Sequence, residues 1–150
     1  MDLILWRHAE AEPGEPDLGR GLTAKGIQQA ERMAKWLERH LPSTTRILVS
    51  PADRAEQTAH ALKRKYRVVP ELAPGASTTA VLAAAGWPDA REPVLVVGHQ
   101  PTLGEVAAYV LTGDAAPWSL RKAAVWWLSR RVRNGIPSTV LKVVIGPDYV

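Results

Sequence analysis

Three short runs of consecutive apolar residues constrain this chain most, because each is long enough for a buried strand and too short for a helix. They cover residues 3–6, 47–49 and 94–97. Strands without alternating polar residues are typical of parallel sheets, which are covered by helices on both faces. The runs therefore predict an α/β chain with three strands in its interior.

Helical periodicity separates these runs, with apolar residues recurring at steps of three and four. Thr23 is in position to cap the first such segment, and Pro42 is in position to end it. The predicted helices cover residues 23–41, 51–66, 78–85 and 102–111.

The last quarter of the chain has a different pattern. Residues 123–128 and 140–145 read as two strands joined by a polar turn at 131–135, which predicts an antiparallel pair. A further short strand is expected at 68–69. The whole pattern predicts a three-layer α/β/α sandwich with a mostly parallel, mixed central sheet, forming a single domain over residues 1–150.

Composition excludes several classes of protein. The chain has no cysteine, which rules out disulfide scaffolds, thiolate metal sites and cysteine nucleophiles. Its net charge is +4, but the basic residues are scattered without interleaved aromatic residues, so we expect no nucleic-acid partner. The first apolar run is too short for a signal peptide or a membrane span, so we expect a cytoplasmic location and no membrane contact.

Basic side chains follow each buried run. Arg7 and His8 come after the first, Arg54 shortly after the second, and His99 after the third. Because the carboxyl ends of parallel strands meet at one edge of a sheet, we expect these four side chains to converge there. Two guanidiniums, two imidazoles and the start of a helix favour binding of a phosphoryl group.

These residues belong to four motifs whose order and spacing resemble those of the histidine phosphatase superfamily, the phosphoglycerate-mutase-like group. The motifs are Arg7-His8-Ala9, residues 22–30, residues 50–58 and Gly98-His99. The Arg-Ala-Glu-Gln-Thr run at 54–58 and the short length are most similar to the SixA-type phosphohistidine phosphatases of that superfamily. The similarity extends from residue 1 to about residue 112.

The resemblance implies a metal-independent phosphatase that needs no cofactor. His8 would attack phosphorus and form a phosphohistidine intermediate that water hydrolyses. Arg7, Arg54 and a protonated His99 would bind the phosphoryl oxygens. Arg20, on the loop after the nucleophile, is expected to bind the phosphate or another group of the substrate. The implied substrate is a phosphohistidine-bearing protein or a small activated phosphomonoester.

Two positions depart from the family pattern. Ala9 stands where relatives usually have glycine, and Pro74 stands where many have a glutamate that acts as general acid. Glu10, Glu12 and Glu71 are the candidate substitutes for that acid. A departing imidazole needs less proton donation than a departing alkoxide does, so the proline favours phosphohistidine over sugar phosphates.

Two alternative functions stay open at this point. One is a phosphatase of small molecules such as sugar or nucleotide phosphates, and the other is a catalytically silent module that binds phosphorylated ligands. The intact set of His8, Arg7, Arg54 and His99 counts against the silent module. The sequence predicts nothing about the oligomeric state.

Overall fold

The computed structural model describes all 150 residues and forms one six-stranded sheet. Its strands are β1 (Asp2–Arg7), β2 (Arg46–Val49), β3 (Arg67–Val68), β4 (Val94–Gly98), β5 (Val125–Arg133) and β6 (Ile136–Ile145). Their order across the sheet is β3-β2-β4-β1-β5-β6. The first four strands pair in parallel, while β5 is antiparallel to both β1 and β6. The expectation of a mostly parallel, mixed sheet is confirmed.

Helices cover both faces of this sheet, which confirms the three-layer architecture. They are α1 (Ala24–His40), α2 (Asp53–His60), α3 (Thr78–Ala85) and α4 (Thr102–Thr112). Alternate residues of β1 enter opposite cores: Ile4 packs with α1 and α2, and Leu5 packs with α3 and α4. Thr23 caps α1 as predicted, because its side chain accepts a hydrogen bond from the Gly26 N–H at 2.9 Å. None of the helices combines the length and the apolar character that crossing a membrane requires.

The predicted second helix is shorter than its apolar periodicity indicates. It ends at His60 rather than near Tyr66, and Lys63 has a φ of 56°, which a helix cannot contain. Leu62 and Tyr66 still pack against the core from the following turn, which explains why they extended the helical pattern. Pro51 precedes the helix instead of starting it, since Ala52 is the N-cap residue.

The closing hairpin is longer than predicted, and its turn is tighter. Only Asn134 and Gly135 connect β5 to β6, with φ values of 52° and 75°. Positive φ at both central residues is typical of the type I′ turn, which an Asn-Gly pair favours. Residues 131–133, expected in the turn, extend β5 and are exposed there, so their charge obscured the strand.

The loop after β1 packs closely against the first turn of α1. The Glu10 carbonyl accepts a hydrogen bond from the Thr23 N–H at 3.0 Å, and the Glu10 carboxylate accepts one from the Thr23 hydroxyl at 2.8 Å. Gly26 makes this approach feasible, because a Cβ at that position would collide with the Glu10 carbonyl oxygen. A glycine inside α1 thus holds the segment that directly follows His8.

We expect Gly26→Ala to destabilise the fold even though alanine raises helix propensity by about 1 kcal/mol. The collision with the backbone of Glu10 outweighs that gain, and we expect a net loss of about 2 kcal/mol in the free energy of unfolding. Urea denaturation measures it. Gly146→Ala is the control, because a Cβ there meets no atom within 4 Å and the φ of −122° suits any residue. Equal stability of the two variants would contradict the close approach.

Candidate active site

The predicted convergence of the strand ends places two imidazoles side by side. His8 follows β1 and His99 follows β4. The backbone N–H of His8 donates to the Gly98 carbonyl at 3.1 Å. The two ring centroids are 5.1 Å apart. Both residues are almost enclosed, with 9% of His8 and 4% of His99 exposed. The site therefore lies at the carboxyl edge of the sheet, where the sequence predicted it.

The local backbone fixes the tautomer of His8. Its Nδ1 lies 2.7 Å from the Ala9 carbonyl oxygen, which can only accept a hydrogen bond, so Nδ1 carries the proton. The Ala9 peptide is itself held, since its N–H donates to the Thr58 hydroxyl on α2 at 3.0 Å. The Ala9 methyl group is fully buried in the core that α1 and α2 cover, so this site accommodates a Cβ. The Nε2 of His8 is left with a free lone pair.

A serine fixes His99 in a complementary way. The Ser50 hydroxyl lies 2.7 Å from Nε2 of His99 and also accepts from the Ala52 N–H at 3.2 Å. That oxygen keeps a second lone pair and its own hydrogen, so the hydroxyl serves His99 Nε2 as acceptor or as donor, according to which ring nitrogen carries the proton. The other ring nitrogen, Nδ1, is buried and has no partner in the protein.

Electrostatics keep both rings neutral in the free protein. Burial, together with the charges of Arg54 and Arg7, lowers the pKa of His8 from 6.5 to about 4, against the bond to the Ala9 carbonyl, which raises it. Burial and the neighbouring His8 lower the pKa of His99 to about 3. The expectation of a protonated His99 applies to the complex with a phosphoryl group, whereas in the free site the lowered pKa keeps this ring neutral. The physical reason is that two enclosed imidazoles share the space with two guanidiniums.

Both predicted arginines line this edge and offer unused donors. Arg7 donates through Nη1 to the Leu120 carbonyl at 2.9 Å. Arg54, in the first turn of α2, is only 4% exposed. The Nε atoms of Arg7 and Arg54 are buried and have no protein partner, like Nδ1 of His99. Three buried polar nitrogens without protein partners, two of them on guanidiniums, are unusual in a folded protein and indicate an anionic ligand.

The loop after β1 holds Arg54 from outside. Arg54 donates through Nη1 to the Asp17 carbonyl at 2.8 Å and through Nη2 to the Asp17 carboxylate at 3.2 Å. Arg20 contacts the same carboxylate at 3.0 Å through Nε and the Glu12 carbonyl at 3.1 Å through Nη1. Arg20 thus lies beside the site, and its charge contributes to the lowered pKa of His8.

The carboxyl groups near this loop are poor proton donors. The hydrogen bond from Thr23 lowers the pKa of Glu10, which also lies 3.6 Å from the Lys122 ammonium. Hydrogen bonds from Arg54 and Arg20 lower the pKa of Asp17. Both carboxyls are therefore held in the ionised form. Glu71 is exposed in a short 3-10 turn.

Sequence reasoning missed three residues that position the site: Asp17, Ser50 and Thr58. Ser50 and Thr58 lie inside the motif at 50–58. Ser50 also directly follows β2, so its position at a strand end could have indicated its role. Asp17 carried no signal, because its contact with Arg54 joins a loop to a helix 37 residues away.

Two other features lie apart from this edge. A cleft of about 1240 Å³ lies between α1 and α2 and contains none of His8, Arg7, Arg54 and His99. No group of three or more His, Asp or Glu side chains is arranged to hold a metal ion. Asp53 and Glu56 at the start of α2 therefore do not form a ligand set with the histidines.

One solved structure and two bacterial proteins are similar to this chain. The structure of the protein histidine phosphatase SixA complexed with tungstate superposes on this chain with a TM-score of 0.78 and 26% sequence identity, covering 99% of both chains. The SixA homolog of Haemophilus influenzae is 32% identical over 83% of this chain and 85% of its own length. The phosphohistidine phosphatase SixA of Escherichia coli is 32% identical over 78% of each chain.

A family model gives the same assignment. The model of the histidine phosphatase superfamily (branch 1) matches residues 3–77, which include β1, α1, β2 and α2 and therefore His8, Arg7 and Arg54. The predicted resemblance is confirmed by this match and by the two relatives. The chain belongs to the histidine phosphatase superfamily and is a SixA-like phosphatase.

Proposed function

We propose that residues 1–150 act as a metal-independent phosphohistidine phosphatase in which His8 is the nucleophile. The observation that carries this proposal is the set of three buried, unpartnered nitrogens on Arg7, Arg54 and His99, beside a His8 whose Nε2 is unprotonated. Phosphoryl transfer needs positive charge and N–H donors around the transferring group, which these residues supply. The relative solved with tungstate, a tetrahedral oxyanion, supports an anion site in this fold.

In the first step, the lone pair of His8 Nε2 forms a bond to phosphorus while the bond to the leaving group breaks. The proton on Nδ1 stays hydrogen-bonded to the Ala9 carbonyl, which stabilises the positive charge that develops on the ring. Arg7, Arg54 and Nδ1 of His99 donate to the phosphoryl oxygens. The negative charge of the bound group raises the pKa of His99, so that ring is protonated only when substrate is bound.

In the second step, water attacks the phosphorus of the phosphohistidine and His8 leaves as a neutral imidazole. Inorganic phosphate is released, and the His8 lone pair is restored. The same donors serve both steps, because the phosphoryl group stays among them. The cycle needs no metal ion, since the two guanidiniums supply the positive charge.

The carboxyl groups near the site favour one class of substrate. Pro74 replaces the expected acid, and Glu10 and Asp17 are held ionised by their hydrogen bonds. A phosphohistidine whose ring is protonated departs as neutral imidazole and needs no further proton, whereas a sugar alkoxide needs one. We therefore infer that a phosphohistidine side chain of a protein is the substrate that this site hydrolyses best. Arg20, beside the site, is the residue we assign to further contacts with it.

We expect His8→Ala to lower turnover by roughly 10³-fold or more, because the variant lacks the Nε2 lone pair that forms the bond to phosphorus. Quenching without acid, followed by mass spectrometry, should place the transient phosphoryl group of the unmodified protein on His8. His60→Ala is the matched control, since His60 is exposed at the end of α2 and should leave turnover unchanged. A phosphoryl group found on another residue would refute this assignment.

We expect the His8 and His99 rings to remain neutral between pH 8 and pH 5 in the free protein. Burial favours the uncharged ring, so a lowered pKa keeps the His8 lone pair available well below the ordinary value of 6.5. Nuclear magnetic resonance of labelled histidine measures this, with His8→Gln and His99→Gln spectra assigning the two signals. Midpoints near 6.5 would show that the rings are not enclosed in the way described.

We expect turnover to depend steeply on the leaving group. Phosphohistidine and aryl phosphates of acidic phenols should react far faster than phosphoserine or sugar phosphates, because the departing group receives no proton from the protein. Single-turnover rates plotted against leaving-group pKa should fall clearly. A flat plot, or rapid cleavage of a sugar phosphate, would favour a small-molecule phosphatase. Tight phosphate binding without any turnover would favour the silent module.

A further inference from the structure

The two edges of the sheet are protected very differently. The sheet ends in β3, which has two residues, on one side and in β6, which has ten, on the other. A long edge strand presents a row of N–H and C=O groups without partners, which other strands can pair with. A two-residue edge presents almost none. β6 is therefore the edge at which a further strand can be added.

The pairing with β5 shows which backbone groups of β6 point outward. Thr139 of β6 lies opposite Arg130 of β5. The Arg130 backbone points away from β6, because its N–H donates to the Met1 carbonyl and its carbonyl accepts from the Met1 amino group. In an antiparallel pair, a residue opposite such a position also points away. The N–H and C=O of Thr139 therefore face the free edge. This orientation repeats every two residues along the strand, so the C=O of Pro137 and the N–H and C=O of Leu141 also face the free edge.

The side chains of β6 leave this edge uncharged and apolar. Residues 136–141 carry no charge. Exposed fractions are 70% for Ile136, 51% for Val140 and 51% for Val144. A lysine often protects an edge strand, but Lys142 lies at a bulge and folds back. Its ammonium is 5.0 Å from the Trp127 ring centroid and 3.5 Å from the Asp2 carboxylate, so its charge lies on its own sheet.

We propose that β6 pairs antiparallel with β6 of a second copy of this chain, about a two-fold axis at Thr139. Each Thr139 then exchanges both backbone hydrogen bonds with Thr139 of the other copy. Each Leu141 N–H donates to the Pro137 carbonyl across the interface. The missing N–H of Pro137 leaves only the Leu141 carbonyl without a partner in this pairing. The result is one continuous sheet of two copies.

A second copy fits this edge because the edge is complementary to itself. An uncharged antiparallel strand meets no like charge when it pairs with its own copy. The basic residues Arg130, Arg131 and Arg133 lie on β5, one strand in from the edge. In the dimer, the β5 strands of the two copies are separated by three strand spacings, or about 14 Å. That distance exceeds the screening length of about 8–10 Å in physiological salt.

The pairing also leaves the phosphate site open. β5 is antiparallel to β1, so the hairpin turn at Asn134 and Gly135 projects from the end of the sheet opposite His8. Two copies joined along β6 therefore keep their active sites exposed. Variants in β6 consequently test association without changing phosphatase activity.

Sedimentation velocity over a dilution series reaching about 1 mM tests the pairing. We expect the mass of the intact chain to rise from 16.4 kDa towards twice that value. Thr139→Asp places two carboxylates directly opposite each other, so we expect the dissociation constant to increase roughly tenfold or more. Thr79→Asp, the same change at an exposed position on α3, is the control and should leave association unchanged.

A charge swap makes the test specific to the axis. Thr139→Asp and Thr139→Lys should each associate weakly alone, and their equimolar mixture should dimerise more tightly than either variant, because opposite charges then meet at the axis. Circular dichroism and phosphatase activity confirm that each variant is folded. A monomeric unmodified chain at all concentrations would overturn the proposal. So would a dimer that survives Thr139→Asp, or binding of a different protein at this edge in its place.

Discussion

The parallel pairing of β1 with β4 is the contact on which the rest of the structure depends. It places the ends of the two strands side by side, so that His8 and His99 become neighbours without any special loop. Both strands are buried on two faces, and a slip of one residue would turn Trp6 and Ile4 towards the wrong core. The register that packs the core is therefore the register that builds the active site.

Much of the fold could be predicted from local patterns. The buried runs gave β1, β2 and β4, and the cap at Thr23 gave the start of α1. The errors arose where a side chain reaches the core from an irregular segment. Leu62 and Tyr66 continue the apolar stripe of α2 after its backbone has left the helix. Charged residues of β5 looked like a turn because that part of the hairpin extends into solvent.

The placement of the site followed from strand ends, but its protonation did not. Arg7 ends β1, and His8 and His99 directly follow strands, which is a local signal. The neutral state of His99 depends on its enclosure and on the neighbouring His8, which no short pattern reveals. The contact of Asp17 with Arg54 is equally non-local. Tertiary contacts thus set the chemistry of residues that the sequence had already located.

Because Arg54 donates two hydrogen bonds to Asp17, the order of the exposed loop at residues 12–20 and the position of the Arg54 guanidinium in the pocket are coupled. Whenever thermal motion lifts residues 12–20, the guanidinium loses both of its anchors together. Phosphate binding through an ordered Arg54 is thereby coupled to the closed position of that loop. Evolution can therefore tune affinity through surface positions that never touch the substrate, leaving the nucleophile and its neighbours untouched.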